Sequence, residues 1–190
     1  MLRRFAPRAD YLVMLREFWD EEQGGFFYTG KSQEQLISRA KPIFDASIPS
    51  GNAMATQLLL RLHHITGQED YRARAEKVLR SYYDVMENQP FGFAHMLCAV
   101  DQYLNPPKEI VVVGNADDPR TKALLAEVHR IYLPNKVLQL VGAEQALEDI
   151  SPLLRGKTQL NGQPTAYLCQ NFTCSAPVTN PAELKSLLQS

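Results

Sequence analysis

No sign of charge dominates this sequence. Lysine and arginine number 20 against 21 aspartates and glutamates, a net charge of −1, and no basic block or stripe occurs; this argues against nucleic acid as a partner. Long apolar runs are missing too. No segment approaches the roughly 18 uncharged apolar residues that a membrane span requires. The opening "MLRRFAPRADYLVML" has the charge order of a signal peptide, but Arg8, Asp10 and Arg16 interrupt it and no small-residue cleavage site follows. It reads as helix, and the expected location is cytoplasmic, with no membrane partner. Cysteine is scarce: three residues form no dense framework, which fits a reducing compartment. The "NFT" sequon at 171–173 carries no meaning without a secretory route.

What is present suits a globular protein. The 190 residues, 45% hydrophobic and 22% charged, can bury a sizeable core. Two parts meet at "YLNPPKE", giving expected domains at 1–106 and 107–190. In the first part, Leu12, Leu15, Phe18 and Trp19 recur at helical spacing. "GGFFYTG" then breaks the helix and favours an extended excursion or hairpin. A helix begins at Ser50, its N-cap candidate, and stops at Gly67. Its apolar residues cover most of the circumference, which predicts burial on nearly all sides. The helix over 70–86 is amphipathic, and a third over 91–104 lacks a charged face before Asp101. Buried, exposed, buried is the order that an (α/α) toroid produces; a simple helical bundle produces it as well.

The second part is different. "EIVVVG", a helix opening at Pro119, "NKVLQLVG", "TAYLCQ" and a helix over 181–188 predict a small three-stranded sheet containing a βαβ unit. The expected fold class is therefore mainly α with an α/β tail.

Among motifs, "GNADD" after the first strand lacks the further glycines of a dinucleotide fingerprint, and its two acids repel phosphate. Cys169 and Cys174 are too widely spaced for a thioredoxin motif and have no further zinc ligands nearby. A redox pair and a structural pair both remain open for them, whereas Cys98 reads as buried packing. His63 and His64 suit core or helix-end packing, and His129 suits a solvent-facing position. His95 is one of few polar groups near the start of an apolar helix.

The strongest polar cluster leads into the helix at Ser50: Trp19, Asp20, Phe26, Phe27, Tyr28, Arg39, Asp45, Ser50 and Asn52. Aromatics with carboxylates, an arginine and an asparagine suit a polyhydroxylated ligand. The competing reading is structural, with Asp45 bonding backbone amides, Ser50 and Asn52 capping the helix and Arg39 pairing with Asp45.

"FWDEEQGGFFYTG", "LISRAKPIFDASIPSGNAMATQLLLRLHHITG" and "TAYLCQNFTCSAP" resemble, in this order, the C-terminal part of the YyaL and spermatogenesis-associated-protein family. That resemblance implies a thioredoxin-like domain followed by a toroid of the six-hairpin glycosidase or N-acylglucosamine 2-epimerase type. The chain then corresponds to the closing hairpins and an α/β appendage, without the thioredoxin-like domain. Epimerases of that architecture use cavity histidines as acid and base, and glycosidases use two carboxylates. The candidate catalytic residues are accordingly Asp45 and His95, and Asp20 with Asp45 is the carboxylate pair. The candidate saccharide-binding residues are Trp19, Asp20, Phe26, Tyr28, Arg39 and Asn52. No cofactor or metal is expected. The expected partners are a small saccharide and either the family's missing N-terminal portion or a second copy of the chain. A non-catalytic interaction or oligomerisation module is the alternative function.

Overall fold

A computed structural model of the chain describes residues 7–33, 38–142, 151–170 and 173–189. The chain divides into a helical unit, Met1–Leu60 with Glu69–Tyr103, and an α/β unit, Arg61–Gln68 with Leu104–Ser190.

In the helical unit, α1 (Pro7–Phe18) leads to Trp19, which forms an isolated antiparallel bridge with Phe26. The Gly-Gly pair makes this reversal possible, because Gly24 and Gly25 sit at φ 77° and 81°, a region that disfavours side chains. A Cβ on Gly25 would also lie 2.6 Å from the Tyr82 hydroxyl. Helix α2 (Gly51–Thr66) begins as the sequence indicates: Ser50 Oγ accepts from the Ala53 amide at 3.2 Å. It ends at Gly67, whose φ is 68° and whose amide bonds the His63 carbonyl at 2.7 Å. Next come α3 (Glu69–Ser81) and the short α4 (Tyr83–Asn88), separated at Tyr82, where one continuous helix is expected from the spacing. A 3-10 turn at Pro90–Phe93 then delivers the chain into α5 (Ala94–Leu104). Helix α3 is amphipathic, burying Tyr71, Ala75, Val78 and Leu79.

Two burial expectations are corrected. Helix α2 is not enclosed on nearly all sides, because Met54 (51% exposed) and Leu58 (40%) form an i, i+4 pair that meets solvent. Cys98 is exposed and not packed in a core. Neither 51–60 nor 91–100 contains a charged residue, so composition concealed the free face.

In the α/β unit, β1 (Glu109–Val113), α6 (Pro119–Arg130) and β2 (Val137–Val141) form the expected parallel βαβ unit, with Ile110 opposite Leu138. Strand β3 (Thr165–Gln170) runs antiparallel to β1, pairing Leu168 with Ile110. The described sheet has four strands, not three, in the order β2-β1-β3-β4. Strand β4 (Thr173–Cys174) is two residues long and carries no alternating pattern to reveal it. Helix α7 (Pro181–Gln189) completes the described chain. One sheet face buries Ile110, Val112, Ala166 and Leu168 with Leu124 and Val128 of α6 and Leu184 and Leu188 of α7. The other buries Val111, Val113, Val141, Leu154 and Tyr167.

The "GNADD" loop has a packing explanation. A Cβ on Gly114 would come within 2.5 Å of Thr121 Oγ1 and 3.1 Å of Pro164 Cβ. Asp118 caps α6 by accepting from the Arg120 amide at 2.8 Å, with Pro119 in the first turn. Cys169 and Cys174 face each other across β3 and β4 and form a disulfide. Among the described residues, no helix is long and apolar enough to cross a membrane.

Candidate functional site

All of the candidate catalytic and saccharide-binding residues lie in the helical unit. Trp19 is 2% exposed. Its ring meets Phe26 edge-on at 5.1 Å between centroids, Arg74 lies 5.0 Å over it, and Nε1 donates to Glu21 at 2.9 Å. Trp19 and Phe26 are both buried and mutually packed. Tyr28 points outward and is exposed, while Phe27 lies under two cations, Arg39 at 4.1 Å and Lys41 at 4.8 Å.

Arg39 is not paired with Asp45. Its Nη2 donates to the carbonyls of Glu17 (3.2 Å) and Thr29. The guanidinium thus stitches the end of α1 to the loop that follows, a use of its planar donors that sequence spacing does not disclose.

Asp20 closes the turn before Gly24. Its Oδ1 accepts from the amides of Glu22 (2.9 Å) and Gln23 (3.2 Å), and Oδ2 pairs with Lys41. Burial alone would raise this carboxyl, but Lys41 and the two amides outweigh it and hold the pKa below the ordinary 3.8. A depressed carboxyl contributes stability that is present above the unfolded pKa and is lost as pH falls through the folded one. Unfolding free energy measured by urea titration should therefore decline below about pH 3.8. Lys41→Met should flatten that decline; an unchanged acid profile would show that Lys41 does not hold the charge.

Asp45 joins two helix starts. Its Oδ1 accepts from the Ser50 amide at 2.8 Å and its Oδ2 from the His95 amide at 2.7 Å, in the first turn of α5. The Asp45 amide donates to the Gly92 carbonyl at 2.8 Å. A carboxylate suits this place because helix N-termini present unsatisfied donors and partial positive charge.

Asn52 uses its whole amide. Oδ1 accepts from the Phe26 amide at 2.7 Å, and Nδ2 donates to the carbonyls of Phe26 and Pro42, both at 2.9 Å. It is 1% exposed. It belongs to α2 yet pins the strand-like excursion containing Phe26.

The Nε2 of His95 is buried and has no hydrogen-bond partner, and the same holds for the Nε of Arg39. The structure thus brings Asp45 and His95 together through the His95 backbone, and joins Trp19 to Phe26 and Asn52 to Phe26. Lys41, absent from the sequence-derived set, is the ion-pair partner of Asp20. Only a contact between distant loop residues places it there, and no local pattern announces it. Among the described residues, no group of three or more His, Cys, Asp or Glu side chains could hold a metal ion.

The described fold is thus mainly helical with a small mixed sheet, and its most polar cluster is tied together by side chain to backbone hydrogen bonds. Homologues named spermatogenesis-associated protein 20 cover this chain: the Homo sapiens protein is 36% identical over 174 residues, or 90% of the chain. The Rattus norvegicus protein is 34% identical over the same share, and an uncharacterized Caenorhabditis elegans protein is 24% identical over 171 residues. The chain spans 22% of the length of the human and rat relatives and 23% of the nematode one. No family model matches the chain.

Proposed function

We propose that the helical unit is a docking module: α2 and α5 lay an apolar face against further helices of a spermatogenesis-associated-protein-20-type molecule and so contribute to an (α/α) toroid. The observation that carries this reading is the set of apolar side chains that each helix turns to solvent, on α5 around the exposed Asp101. Met54 and Leu58 lie on α2, and Leu97, Cys98 and Leu104 on α5. Ile48 and Phe91, just upstream of the two helices, are also exposed, Phe91 at 99%. Such helices ordinarily hide that face. The occupant is helical chain of the same kind, because the relatives are several times longer than this chain.

The test is complementation. The chain is mixed with the human relative lacking its matching region, and association is followed by size exclusion with light scattering. A joint complex is expected, and Met54→Asp with Leu58→Asp should abolish it while helical circular dichroism persists. A folded chain that remains monomeric and fails to bind would sink the proposal.

A second reading is a saccharide-binding, epimerising or hydrolysing cavity. It is favoured by the unpartnered Nε2 of His95, which is free to carry a proton if that atom meets a ligand. In this reading the exposed Tyr28 stacks on the sugar, and Asp45 serves by orienting the first turn of α5. Saturation-transfer NMR with mono- and disaccharides separates the two readings.

A further inference from the structure

The α/β unit contains a groove of about 680 Å³ that no candidate above uses. Arg61, His129, Arg130 and Lys136 line it together with Tyr132 and Leu133. The lining thus holds four basic side chains and no acidic one, in a chain whose net charge is −1.

Part of this concentration has an ordinary cause. His129 and Arg130 fall in the last turn of α6, where positive charge complements the helix dipole, and Arg130 is already paired with Glu127 at 2.6 Å. That cause does not extend to Arg61, which comes from α2, or to Lys136, which precedes β2. The Arg61 guanidinium makes no hydrogen bond or ion pair among the described residues. Lys136 Nζ makes one long bond, 3.4 Å, to the Leu133 carbonyl, leaving two of its three protons to donate. Beside these cations the Tyr132 ring is 88% exposed, and Leu133 and Leu138 supply apolar wall.

We propose that this groove binds a small phosphomonoester, with the phosphate between Arg61, Lys136 and His129 and the organic portion against Tyr132. A phosphate fits better than a carboxylate because its charge approaches −2 and its three free oxygens can each meet a donor from a different element. The volume suits a small molecule, since pockets of roughly 300 to 1,000 Å³ hold such ligands.

The test is an amide NMR titration of the whole chain with AMP, glucose 6-phosphate, inorganic phosphate and adenosine. At least one of the two esters should shift the amides of 129–138 saturably, more tightly than inorganic phosphate, and adenosine should not. Arg61→Ala and Lys136→Ala should each weaken the ester by about tenfold, the loss expected for one charge-assisted hydrogen bond. Lys122→Ala, on the exposed side of α6, should leave it unchanged. No saturable shift with either ester would overturn the proposal, as would equal weakening by Lys122→Ala, which signals general charge attraction. Equal affinity for ester and inorganic phosphate would overturn the assigned role of Tyr132.

Discussion

Asn52→Asp is expected to unfold the helical unit at neutral pH. The change alters one atom of a 1% exposed side chain, yet it removes both donors that serve the carbonyls of Phe26 and Pro42. It also leaves a negative oxygen facing those carbonyls at about the former 2.9 Å. Loss of two buried hydrogen bonds costs on the order of 2 to 6 kcal/mol once the orphaned carbonyls are counted. An unpaired buried charge adds several more. The sum reaches the 5 to 15 kcal/mol that typically holds a whole domain together. Asn52→Ala, which brings no charge, should cost about 3 kcal/mol. Circular dichroism and urea unfolding of both variants provide the measurement. Acid should partly restore the aspartate variant, because protonation removes the charge and returns one donor. A variant with the wild-type urea midpoint would show that Asn52 does not hold the Phe26 excursion to α2.

Asp45→Ala is the second large effect, with an expected loss of about 3 kcal/mol from two charge-assisted hydrogen bonds. Asparagine is not a neutral replacement here. Its single oxygen can serve either the Ser50 amide or the His95 amide, and its NH2 group then faces the other donor. Asp45→Asn should therefore be destabilising by more than half as much as Asp45→Ala. A group that served only a ligand would give the opposite result, with stability retained in both variants. Thermal unfolding of the free chain distinguishes the cases, and it also bears on the saccharide reading, in which both Asp45 and His95 take part.

These two residues show how far the sequence could be read. "DASIPSGNAMA" announces a helix start through Pro49, Ser50 and Gly51, whose roles are local and follow from turn and cap chemistry. Helix and strand positions were legible for the same reason: α2, α6, β1, β2 and β3 each carry their own period or stop signal. The partners of Asp45 and Asn52 were not. His95 lies 50 positions from Asp45, and Phe26 lies 26 from Asn52, so only the folded chain shows that polar residues resembling a ligand shell are used on backbone. Arg39 illustrates the same limit, since a pairing with Asp45 is reasonable by charge and the actual acceptors are carbonyls, which every residue carries. The exposed faces of α2 and α5 were hidden because an apolar stripe looks the same in sequence whether or not it is covered.

The strand order also bears on how the chain comes off the ribosome. β1 is bonded on one side by β2 and on the other by β3, but β3 follows β2 only after a long connection. When β1 and β2 have emerged and α6 has packed, the other edge of β1 still presents open amides and carbonyls among valines. That edge is the natural target for a chaperone, or for mispairing with another nascent chain, until Thr165 and the residues after it arrive to close it.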